Sequence, residues 1–85
     1  MPSAYVLITC ELGYEDQTMS KLNKLTGVDA TRLDGAYDII AKINVESTEI
    51  LTKIIGLDMK KMDRIQSTVT LIVIEEDQHK EESRI

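Results

Sequence analysis

The sequence predicts an α+β domain with the element order strand, helix, strand, strand, helix, strand. Three observations carry that expectation. Apolar, β-branched runs at 4–10 and 65–74 bracket the chain, and two amphipathic stretches lie between them. The halves also echo each other: Leu22-x-x-Leu25-x-x-Val28-x-x-Thr31 has the spacing of Met59-x-x-Met62-x-x-Ile65-x-x-Thr68. Each copy marks a helix end, a turn and the start of a strand.

Ala4-Tyr5-Val6-Leu7-Ile8-Thr9-Cys10 is short and closely followed by Gly13, which favours strand over helix. Both its faces are apolar, with Tyr5, Leu7 and Thr9 on one and Val6, Ile8 and Cys10 on the other, the pattern of a central strand. Residues 14–26 predict a helix. Glu15 and Asp16 open it and Lys21 and Lys24 close it, which suits the helix dipole. Met19, Leu22 and Leu25 line one face, and Gly27 stands where a left-handed glycine ends a helix. Residues 28–33 predict a short strand and 37–45 a longer one, in which Ile39, Ala41, Ile43 and Val45 share a face. Asp34-Gly35 between them predicts a tight hairpin with positive φ.

Ser47 and Thr48 offer N-cap oxygens to a second helix, with Glu49 in its first turn. Its apolar stripe is Leu51, Ile55, Met59 and Met62, widened by Ile54. Gly56 inside the stripe costs about 1 kcal/mol relative to Ala and marks either a close packing point or a bend. Thr68, Val69, Thr70, Leu71, Ile72, Val73 and Ile74 then return to strand. Two split β-α-β units with right-handed crossovers give a ferredoxin-like βαββαβ sandwich, with antiparallel sheet order 4-1-3-2 and two helices on one face. The helices cover only that face, whereas the first and last strands are apolar on both. Such a bare surface exceeds what a soluble monomer leaves exposed, so a homodimer packed through the sheet face is expected.

Composition bounds the function. The 85 residues make one small domain, of a size that buries only about 60–65% of its unfolded surface. Residues 1–75 are expected to form it, with 76–85 as a charged, solvated tail. Phe and Trp are absent, so Ile, Leu, Val and Met must build the core. A net charge of −5 without a basic cluster argues against direct nucleic-acid binding. The single cysteine, Cys10, excludes an internal disulfide and fits a reducing compartment. With neither a basic-then-apolar leader nor a run long enough to span a bilayer, a cytoplasmic protein is expected.

No Ser/His/Asp or Cys/His set, glycine-rich phosphate loop or carboxylate pair can be assembled, so neither catalysis nor a cofactor is expected. Cys10 reads as a small core residue, and Met19, Met59 and Met62 as core. Glu75, Glu76, Asp77, His79 and Glu81 match no metal-site spacing.

Four pieces, in this order and at this spacing, carry a family resemblance: Ala4-Tyr5-Val6-Leu7-Ile8, Leu25-Thr26-Gly27-Val28, Asp34-Gly35-Ala36-Tyr37-Asp38 and Ile65-Gln66-Ser67-Thr68-Val69-Thr70. They resemble the effector-binding (RAM) domain of the Lrp/AsnC family of transcriptional regulators, over residues 4–75. One departure is Arg64, where the family pattern usually has Gly. Another is that the chain opens directly on the first strand, so it resembles a stand-alone RAM domain lacking the helix-turn-helix. The resemblance implies a non-catalytic sensor that dimerises through its sheet and assembles into rings of dimers. It implies an amino-acid or related effector bound where dimers meet, and full-length Lrp/AsnC regulators as partners.

The resemblance also implies ligand contacts from Gly35, Tyr37 and Asp38, and from Gln66, Ser67, Thr68 and Thr70. An amino acid needs an acceptor for its ammonium and donors for its carboxylate. Asp38 can be the first; the backbone near Gly35 and the side chains of Gln66, Ser67 or Thr68 can be the second. Each has a structural alternative. Asp34 and Asp38 can satisfy turn amides, Thr68 and Thr70 can be strand formers with cross-strand bonds, and Tyr37 can simply pack. Two other functions fit the same strand order: a dimeric α+β barrel enzyme of the small monooxygenase or isomerase type, or a purely structural oligomer. The enzyme needs a polar cavity between helices and sheet, where Ile39, Ala41, Ile43 and Val45 are all aliphatic.

Overall fold

The computed structural model describes residues 1–74; the tail at 76–85 lies outside the described residues. The elements are β1 (Ser3–Cys10), α1 (Glu15–Asn23), β2 (Val28–Arg32), β3 (Ile39–Asn44), α2 (Thr48–Lys53) and β4 (Ile65–Ile72). Every strand pair is antiparallel and the sheet order is β2-β3-β1-β4, the expected 4-1-3-2 seen from the other edge. This is the ferredoxin-like βαββαβ sandwich.

The core follows from strand alternation. Ala4, Val6, Ile8 and Cys10 of β1 and Ile39, Ala41 and Ile43 of β3 point to one face and are buried. Leu22 of α1 and Leu51, Ile54 and Met59 of the second helical segment close over them. Truncating a side chain such as Ile8 to Ala in a core of this kind costs about 2–5 kcal/mol.

The sequence repeat is also a repeat of hydrogen bonds. The N–H groups of Leu25 and Val28 donate to the carbonyls of Leu22 and Leu25 at 3.0 and 3.2 Å, and those of Met62 and Ile65 to Met59 and Met62, both at 3.1 Å. The residues between differ. Gly27 has φ +85°, and a Cβ there would stand 2.7 Å from the Asn44 carbonyl oxygen, which explains the glycine. Arg64, at the matching place, lies outside the positive-φ region. Its carbonyl accepts from the Glu11 N–H at 2.8 Å. Its guanidinium pairs with the Glu11 carboxylate at 3.0 Å and lies 4.1 Å from the Tyr14 ring centre. The turn into β4 therefore closes without a glycine.

Three expectations need correction. The first helix spans Glu15–Asn23 rather than 14–26, with Tyr14 as N-cap and Lys24 as C-cap. The hairpin is not tight, and Gly35 has no positive φ. The Leu33 N–H donates to the Asp38 carbonyl at 2.8 Å, and residues 34–37 form a wider loop. Its width has a long-range cause: the Asp38 N–H donates to the Ile8 carbonyl at 2.9 Å, which ties the base of the loop to β1.

The second helix begins as expected, with the Ser47 hydroxyl accepting from the Ile50 N–H at 3.2 Å. It then changes pitch, continuing as a π turn over Ile54–Asp58 and a 3₁₀ turn over Met59–Lys61. A π turn inserts a residue into the helical repeat. The buried positions are therefore Leu51, Ile54 and Met59, while Ile55 and Met62 of the expected stripe are only partly covered. Gly56 lies in the π turn, exposed, with nothing within 4 Å of an added Cβ, so it is no packing point.

The sheet's two edges differ. At β2 the Ala30 N–H donates to the Asn23 side-chain oxygen at 2.8 Å, and the Ala30 carbonyl makes a longer contact of 3.5 Å with the Asn23 amide nitrogen. At β4 the Val73 N–H donates inward to Ser3. Alternation along the antiparallel ladder then turns the N–H groups of Ile72, Thr70 and Thr68 to the free edge.

Candidate functional site

Asp38 sits where β3 begins, beside the end of β1. Its carboxylate accepts from the Cys10 N–H at 2.9 Å, so the amide-satisfying role open to it is filled. Cys10 is buried. Burial pushes its thiol pKa up, the charges of Asp38 and Glu15 push it further, and a hydrogen bond from Thr18 and the charge of Arg32 oppose them. A thiol held protonated in this way is a poor nucleophile.

The second group of expected site residues lies on β4. The strand carries an irregularity where Thr9 pairs with Ser67 and Cys10 with Ile65, and Gln66 is the extra residue there. Beside it, between β4 and the end of the second helical segment, opens a cleft of ≈ 490 Å³. Its apolar lining is Ile55, Met59, Met62 and Ile65; its polar lining is Lys60, Gln66, Ser67 and Thr68. The Ser67 hydroxyl also shares a 2.6 Å hydrogen bond with that of Thr9, so it is already engaged across the sheet. Thr70 lines a neighbouring cleft of ≈ 540 Å³, with Leu51, Ile55, Gly56 and Ile72.

The structure thus brings Gln66, Ser67 and Thr68 together and places Thr70 next door. Gly35, Tyr37 and Asp38 line neither cleft; β1 runs between β3 and β4 and keeps the two groups apart within one copy. Lys60 is the residue that sequence reasoning missed. The signal was its place between Met59 and Met62, where a lysine stem can lie along an apolar surface with its ammonium in water.

The sheet face opposite the helices carries the half-buried Tyr5, Leu7 and Ile40. Beside them on β4 and just beyond it, Val69, Leu71 and Val73 are 40%, 52% and 39% exposed. On the helix side Ile39, Ala41, Ile43 and Val45 are buried, so the space over β3 is filled by aliphatic side chains. Among the described residues no three His, Cys, Asp or Glu side chains converge as metal ligands, and no helix is long and apolar enough to cross a membrane.

The Lrp/AsnC ligand binding domain matches residues 3–85. The chain belongs to this family. Among solved structures, this Lrp/AsnC domain is similar to the hypothetical protein PHS023 from Pyrococcus horikoshii, at 34% identity and a TM-score of 0.83, covering 93% of this chain and 96% of that one. FFRP-DM1 is 33% identical with a TM-score of 0.82, covering 87% and 100%. E. coli AsnC is 27% identical with a TM-score of 0.78; the match takes in 89% of this chain but 52% of AsnC, about half of that regulator. No curated protein matches the chain in sequence. The Lrp/AsnC domain is thus an effector-binding module by family.

Proposed function

We propose that this domain binds an amino acid or a closely related small molecule without catalysis, assembles through its sheet face, and modulates transcription regulators of the Lrp/AsnC family. The observation that carries the binding role is the β4 cleft. It sets the polar side chains of Gln66 and Thr68 and one cation, Lys60, over a floor of Met and Ile, while the Ser67 hydroxyl turns to Thr9. Concave sites of mostly apolar lining with a few convergent polar groups are what small-molecule ligands occupy. The hairpin residues Gly35, Tyr37 and Asp38 reach a ligand only if a second dimer brings its hairpin against this cleft, the contact that the family resemblance implies.

Assembly is supported by the apolar side chains of Tyr5, Leu7, Ile40, Val69, Leu71 and Val73 on the face that the helices leave bare. A second copy laid on that face removes them from water, at about 25 cal/mol for each Å² buried.

A thermal-shift screen of the purified protein against the twenty amino acids tests the binding role. A ligand at 100 times its Kd adds about 2.7 kcal/mol to stability. Flat melting curves across the whole set would remove the amino-acid reading, and sedimentation as a single copy at high concentration would remove the assembly.

A further inference from the structure

We propose that the β4 cleft takes an apolar monocarboxylate, anchored by Lys60, and that the cleft of a single copy does not read an ammonium group. This rests on reading the domain as an effector-binding module and narrows the chemistry of the same site. The floor, Ile55, Met59, Met62 and Ile65, offers aliphatic and thioether groups and no aromatic face. Methionines adapt to irregular shapes, so the floor suits branched or thioether side chains.

The head of the ligand is selected by charge. Lys60 is the one charged residue in the lining. Among the described residues its ammonium meets no carboxylate, whereas Lys53 nearby is paired with Asp58 at 3.3 Å. Lys60 lies in the last helical turn before β4, where the helix dipole favours a cation. Gln66 and Thr68 add neutral donors. No carboxylate lies in the lining to pair with an amino acid's ammonium: Asp38 does not line the cleft, and the Cys10 N–H already donates to its carboxylate. A cation above an apolar floor, with no opposing anion, complements a negative head on a hydrophobic body. An ammonium brought there exchanges water for neutral oxygens alone and meets the like charge of Lys60. A keto acid or a plain branched acid carries no such cost.

Calorimetric titration of the full chain with α-ketoisocaproate, L-leucine and L-leucinamide decides it. These probes share one side chain and differ only in the head group. Expected is binding of the keto acid at least as tight as that of leucine, and leucinamide about tenfold weaker or more, as for a lost charge-assisted hydrogen bond at a partly exposed site. Lys60→Gln weakens the keto acid about tenfold and Lys60→Arg retains it. Leucinamide binding as well as the keto acid, or indifference of the keto acid to Lys60→Gln, overturns the inference. So does silence from all three probes. Leucine binding without any keto-acid binding overturns it too, while leaving the effector-module reading in place. Keto-acid binding that depends on Lys60, with all twenty amino acids silent, upholds it and removes the amino-acid assignment instead.

Discussion

Replacing Asp38 by Ala separates the two roles that its sequence context leaves open. The carboxylate accepts from the Cys10 N–H at 2.9 Å, and Cys10 itself is only 5% exposed. Removing the acceptor leaves that amide without a partner where water reaches poorly, a loss of about 1–3 kcal/mol. In a domain of this size each kcal/mol moves Tm by about 4–8 °C, so a loss near 2 kcal/mol lowers Tm by about 8–16 °C. The main-chain bond from Asp38 to Ile8 survives the substitution, so the sheet is kept. Asp38→Asn retains an acceptor and recovers most of the stability. Both variants remove the charge and lower the thiol pKa of Cys10, although burial, the larger cause, still holds it above the usual range. Calorimetric melting at one protein concentration measures the first effect, and thiolate absorbance against pH the second. An Asp38→Ala melt within about 2 °C of wild type would show that the carboxylate does not hold the end of β1, and the structural account of Asp38 would be wrong.

Cys10 gives a pH dependence of defined sign. Burial first, then the charges of Asp38 and Glu15, raise its thiol pKa in the folded protein. The unfolded thiol ionises near about 8.5. The stability tied to the protonated thiol is therefore complete below that pH and is lost as pH rises toward the raised folded value. Wild type should lose more stability than Cys10→Ala over this alkaline range, and parallel urea midpoints for the two proteins would contradict the shift. Gly13 and Gly27 both have positive φ, but only Gly27 faces a backbone carbonyl at 2.7 Å, Gly13 having nothing within 4 Å of an added Cβ. Gly13→Ala should cost about 1–2 kcal/mol from backbone strain alone. Gly27→Ala should cost clearly more, and equal losses in chemical denaturation would argue against the contact.

Much of the fold was legible in the residues because local pattern and long-range structure agree. The two-residue period of Ile39, Ala41 and Ile43 did become a buried face, Ser47 did cap α2, and the Leu22 and Met59 repeats did become matching hydrogen-bonded turns. What was not legible depends on contacts far apart in the chain. The hairpin is wide because Asp38 is bound to Ile8 and Cys10, some 30 positions earlier, and no dipeptide preference at Asp34-Gly35 carries that information. The π turn stretches the step between the buried Ile54 and Met59 to five residues, and Gly56 leaves no packing trace of it. The candidate site divides along the same line. Gln66, Ser67 and Thr68 are neighbours in sequence and meet in one cleft, whereas their separation from Asp38 is set by the strand order. Lys60 enters the cleft only through the turn that precedes β4.

Asn23 limits how far such molecules can grow. With its amide lying over Ala30, an incoming strand finds that stretch of the β2 rim already occupied, whereas the β4 rim still offers its outward amides. A molecule with one blocked rim cannot be threaded head to tail into an endless ribbon, because every link would need both.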